Sequence, residues 1–132
     1  MGGKIEVGGD WQELQELECQ VAAGAITMPT DEVHALLRRI GNQVGLARSN
    51  VEAGLVDAEK TKELVILLRT TIKRASRRYG EALLEATRLA REGKLGDGRK
   101  ILAEVAKNEK VRFFADLART SLDQLGDERN DS

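Results

Sequence analysis

Apolar residues recur along this chain at intervals of three and four rather than in strict alternation, so its long segments read as amphipathic helices. Trp11, Leu14, Leu17 and Val21 share one face between Asp10, a good N-terminal cap, and Gly24, a good helix stop, which predicts a helix over about 10–23. A loop around Met28 and Pro29 follows. Thr30 then caps a second predicted helix, about 30–44, with Asp31 and Glu32 in the first turn, where the helix dipole favours acids. Its apolar stripe is Val33, Leu36, Leu37, Ile40 and Val44. Gly45 followed by Leu46 reads as a Schellman stop, with glycine taking the left-handed position.

Ser49 and Glu52 have capping-box spacing and open a short helix, about 50–55, which breaks near Gly54 to Asp57. The strongest periodicity comes next. Val65, Leu68, Ile72, Ala75, Tyr79, Ala82, Ala86 and Leu89 form a heptad stripe, and the long helix they define runs from about 58 to 92. Gly80 lies within it without shifting the phase, so the helix is expected to continue through. Gly93 ends it, and Ile101, Leu102 and Val105 mark a helix over about 97–108. A last helix, about 110–125, carries Val111, Phe114, Ala118, Leu122 and Leu125 on one face. Phe113 and Leu117 begin a second apolar face and form a candidate partner patch.

The expected fold class is all-α, a single helical bundle over 10–125 built on the long helix, with 1–9 and 126–132 as flexible tails. The heptad stripe mixes small alanines with Tyr79 and lacks the Leu/Ile seam of a strong two-stranded coil. It is therefore expected to serve the protein's own helices, giving mainly monomer.

Composition narrows the chemistry. The chain has 132 residues, 33% of them charged and 41% hydrophobic, enough to bury a core without disulfides or a structural metal. One cysteine and one histidine exclude an internal disulfide framework and the common zinc sites. A net charge of -1 supplies no global field for nucleic acid or anionic lipid. No signal-peptide run and no membrane span is visible, Glu6 stands where myristoylation wants Ser or Thr, and a cytoplasmic location is expected.

His34, beside Val33 and Leu37, has no partner for general-base work and reads as a boundary residue. Glu16 and Glu18 oppose a thiolate at Cys19. No phosphate-binding loop, dinucleotide glycine motif or nucleophile elbow occurs, so neither catalytic residues nor a cofactor are assigned. One segment departs from charge balance: Arg69, Lys73, Arg74, Arg77 and Arg78 occur with no acid between Glu63 and Glu81. They form a candidate phosphate-contact face, although the stacking aromatics of single-strand binders are missing. The function expected is a small protein-interaction module, adaptor or regulatory, without catalysis and with a protein partner; the alternative is nucleic-acid binding through the basic face.

Read as a whole, DWQELQELECQV, DEVHALLRRI, the long basic helix, AREGKLGDGRKILAEV and VRFFADLARTSLDQL resemble the DUSAM domain family of myxobacteria across residues 10–125. The shared features are Trp11 opening the first helix, the Leu-Leu-Arg run, a glycine turn before a leucine helix, and the aromatic final helix. Arg112 stands where the family usually has proline, and Gly98 is the small residue of the hairpin turn. The resemblance implies a small bacterial helical protein and carries no functional residue. Residues 81–108 also resemble one tetratricopeptide-type hairpin in geometry, with Ala86 and Gly98 at the small-residue positions.

Overall fold

A computed structural model describes residues 8–24 and 30–131, with the backbone alone for 126–131. The described residues form six helices and no strand: α1 (Gly8–Ala22), α2 (Asp31–Gln43), α3 (Arg48–Gly54), α4 (Ala58–Arg91), α5 (Leu95–Asn108) and α6 (Arg112–Asp131). The all-α class and the long helix follow the periodicity of the sequence. α1 includes Gly8 and Gly9 and α6 runs to Asp131, while residues 1–7, the Met28–Pro29 loop and Ser132 lie outside the described residues.

Helix ends show which local signals won. Thr30 caps α2 as expected, its Oγ1 accepting from the Val33 amide at 3.2 Å. Gly45 has φ +78°, and the Gly45 and Leu46 amides donate to Asn42 and Gly41 carbonyls, which completes the Schellman stop. Gly93, at φ +82°, ends α4 in the same way, with Lys94 donating to the Leu89 carbonyl at 2.8 Å. Two cap expectations are corrected. Asp10 lies inside α1, and its carboxylate accepts from Arg39 and Gln43 instead of capping. Ser49 is likewise inside α3, which begins at Arg48 with no side-chain cap, because the Glu52 carboxylate that would close the box is taken by Arg38. Asp57 is a cap the sequence reading missed: its Oδ1 accepts from the Lys60 amide at 2.8 Å and starts α4.

The contacts group into two compact units, Met1–Ile72 and Lys73–Ser132, and the division falls within α4. In the first unit α1 packs on α2 and α2 on α3, around buried Leu14, Leu37, Ile40, Val65 and Leu68. Two glycines allow close approach there. A Cβ on Gly41 would lie 2.5 Å from Val51 Cγ2, and one on Gly54 would lie 2.9 Å from Leu64 Cδ2. Thr61, on the same helix face as Leu64 and Val65, is buried but satisfied, its hydroxyl donating to the Asp57 and Gly54 carbonyls.

In the second unit Ala82, Ala86, Leu102 and Leu125 form the core, flanked by Leu83, Ile101, Val105 and Leu122. Tyr79 and Ser121 hydroxyls lie 2.7 Å apart, and the Tyr79 ring is tilted against Phe114 at 6.2 Å. The hairpin geometry inferred from Ala86 and Gly98 is present: a Cβ on Gly98 would sit 2.6 Å from the Ala86 carbonyl oxygen. That neighbour is backbone and cannot rotate away. The heptad stripe is buried from Val65 to Ala86, with Tyr79 and Leu89 half-buried.

Three glycine-to-alanine variants test this packing. Gly98→Ala gains about 1 kcal/mol in helix propensity but forces α4 and α5 apart, at a strain of about 1–3 kcal/mol, so its melting temperature is expected to fall. A Cβ at Gly80 or Gly96 meets nothing within 4 Å. Gly80→Ala and Gly96→Ala are expected to raise stability by about 0.5–1 kcal/mol each in denaturant titrations.

Candidate functional site

The basic segment of α4 carries the densest charge in the sequence, and the structure divides it. Arg69 Nε donates to Glu18 Oε1 at 3.1 Å, with both side chains largely shielded. Arg78 grips Glu109 with two parallel bonds, Nε at 3.0 Å and Nη2 at 2.9 Å. Arg69 thus ties α4 to α1, and Arg78 ties it to the turn between α5 and α6. Lys73, Arg74 and Arg77 are exposed, and among the described residues no carboxylate pairs with Arg74 or Arg77. Arg88, further along the helix, is clamped between Glu85 and Glu92, which raises its pKa. Arg91 is exposed.

Glu109 has the most consequential electrostatic setting. Its side chain is only 2% exposed, and it also accepts from the Val111 amide at 3.1 Å in the turn before α6. Burial pushes its pKa up. The hydrogen bonds from Arg78 and the Val111 amide, together with the Arg78 charge, more than offset that push and leave the carboxyl below its ordinary value of 4.5.

In the first unit, Asp10 is held below its ordinary range by the Arg39 hydrogen bond and, more weakly, by Gln43. Gln43 in turn accepts from the Trp11 indole at 2.9 Å. Glu52 is lowered chiefly by the bidentate Arg38, with smaller contributions from the charges of Arg48 and His34. A cavity of about 300 Å³ opens there between α2 and α3, lined by Arg38, Asn42, Leu46, Arg48, Val51 and Glu52. His34 lies one turn before Arg38 and is half-buried; its Nε2 is enclosed and has no hydrogen-bond partner among the described residues. A shallower groove of about 380 Å³ between α1 and α2 has Glu13, Glu16 and Glu32 on its rim.

Phe113 and Leu117, the candidate partner patch, are both half-buried, and the Phe113 ring meets Phe114 edge-on at 5.1 Å. The large apolar side chains most open to water are others: Leu84 at 74%, Val56 at 71%, Ile66 at 49% and Leu67 at 46%. All four fall off the heptad stripe, but so do the buried Leu55 and Leu64, so the stripe alone does not single them out. Cys19 is exposed and free. No group of three or more His, Cys, Asp or Glu side chains suited to a metal occurs among the described residues. No helix among them is long and apolar enough to cross a membrane.

What the molecule presents is thus a small all-α domain. The chain belongs to the family described as "Protein of unknown function (DUF2379)", which it matches over residues 9–125 and whose domain name is DUSAM. No curated protein matches it. No solved structure matches it either.

The Glu109 setting predicts an acid dependence of stability. Because its pKa is lowered on folding, its contribution is present above 4.5 and is lost as pH falls through the folded value. Glu109→Gln is expected to cost about 1–2 kcal/mol near pH 7, moderated because Arg78 is half exposed. The gap between variant and parent should close as the solution is acidified, as followed by urea unfolding at a series of pH values.

Proposed function

We propose that this protein is a small helical interaction module that binds another protein and carries out no chemistry of its own. The observation that supports this most is the apolar pair Ile66 and Leu67, neighbours on α4 that remain about half exposed beside a seam that buries Val65 and Leu68. Side chains of this kind lose water on docking, and burial of apolar surface is the main driving force of association. Phe113 and Leu117, in the second unit, are a separate half-buried apolar pair. A monomer in the cytoplasm is part of this proposal, and the exposed thiol of Cys19 supports a reducing compartment; a bacterial source is what the resemblance to the myxobacterial family implies.

Affinity capture from the native host tests this reading. A partner identified by mass spectrometry is expected to be retained by the parent chain and lost with Ile66→Asp, whose exposed position leaves the fold intact. Retention of no partner, together with a saturable turnover abolished by His34→Ala, would overturn it.

Arg74 and Arg77 favour a second reading, phosphate contact along α4, since both are exposed and unpaired among the described residues. With Arg69 and Arg78 engaged by carboxylates, the face is weaker than its sequence suggests. On the interaction reading, duplex DNA is not bound even at about 50 mM salt, where phosphate contacts are strong. Binding that Arg74→Glu with Arg77→Glu abolishes would establish the nucleic-acid reading instead.

A further inference from the structure

The cavity between α2 and α3 combines an apolar wall with polar groups whose bonding capacity is not used up. Leu46 and Val51 form the wall, and Val51 is held in place where Gly41 lets the two helices approach closely. Arg38 spends its Nε and Nη2 on Glu52, which leaves Nη1 free to donate. Arg48 makes no hydrogen bond or ion pair among the described residues, although its charge reaches Glu52. The Asn42 side-chain amide has no partner there either. Among the lining residues two guanidiniums stand with one carboxylate, which already carries two bonds, and the charge of Asp31 reaches Arg38 from outside the cavity. Donors outnumber acceptors, which are the remaining lone pairs of Glu52 and the Asn42 Oδ1.

A ligand that completes such a site must bring acceptor oxygens and negative charge to Arg48 and Arg38, and a hydrocarbon group to Leu46 and Val51. We propose that this cavity binds a small carboxylate bearing a short branched hydrocarbon chain. The carboxylate takes the planar donor fork of Arg48, which matches it in two parallel bonds. Nη1 of Arg38 and the Asn42 amide supply further donors. The hydrocarbon end replaces water against the half-buried Leu46, with Val51 at 3% exposure behind it, a task that a bare inorganic anion cannot perform. The volume of about 300 Å³ is at the lower end for small-molecule sites and suits a ligand of a few carbons.

The test is an NMR titration of the isotopically labelled full chain with isovalerate, alongside isopentanol and inorganic phosphate. Isovalerate is expected to give saturable amide shifts confined to α2, α3 and the loop between them. The uncharged alcohol should give none, and phosphate should bind at least about tenfold more weakly. Arg48→Met keeps the aliphatic stem, breaks no bond of the folded chain, and is expected to weaken isovalerate by about tenfold or more. Arg74→Met, on α4, should leave it unchanged. Absence of saturable shifts, an Arg48→Met titration equal to the parent's, or phosphate binding as tight as isovalerate would each overturn the proposal. The experiment involves no protein partner, so its result stands apart from that of the interaction reading.

Discussion

The shorter helices of this protein depend on the buried stripe of α4. Isolated helices of fewer than about 12–15 residues are marginal in water, and α3 has seven residues while α2 has 13. Each persists because an apolar face is removed from water. In the first unit Leu64, Val65 and Leu68 of α4 supply part of that buried surface, and in the second Ala82 and Ala86 do so with Leu102 and Leu125. The small residues of the stripe matter as much as the large ones. Alanine at position 86 opposite glycine at 98 lets backbones meet, which a leucine at either place would prevent.

Part of the charge on the basic segment is structural. A stretch of five cations resembles a binding surface only while its counter-charges go unseen, and two of those counter-charges lie 51 and 31 positions away in sequence. Arg78 and Glu109 fasten α4 to the turn that opens α6 and leave less for a phosphate to contact. Arg112, which the resemblance sets against a family proline, is the first residue of that helix. This is the position where proline is best tolerated, because the amide there has no partner within the helix. The departure from the family pattern is thus compatible with the same helix start.

How much was legible in the sequence depended on range. The helices, the Thr30 cap and the Gly45 and Gly93 stops were readable because their causes lie within a few residues. The Ser49 cap failed because Glu52, though correctly spaced, is claimed by Arg38 from another helix. Periodicity reports that a face is buried and is silent on what buries it, so the division within α4 had no local signature. The candidate sites fared worse for the same reason. The cavity between α2 and α3 exists only once those helices are set against each other. The heptad phase excludes the exposed Ile66 and Leu67, but it excludes the buried Leu64 as well, so it does not single them out.

The aromatic residues have an experimental consequence. The sequence contains one tryptophan and one tyrosine, and each compact unit holds one of them: Trp11 in the first, hydrogen-bonded to Gln43, and Tyr79 in the second, hydrogen-bonded to Ser121. Indole and phenol absorb and emit differently, so each unit carries its own optical reporter. Whether the two halves melt in concert or in sequence can be read from the unlabelled protein, as coincidence or separation of two spectroscopic transitions.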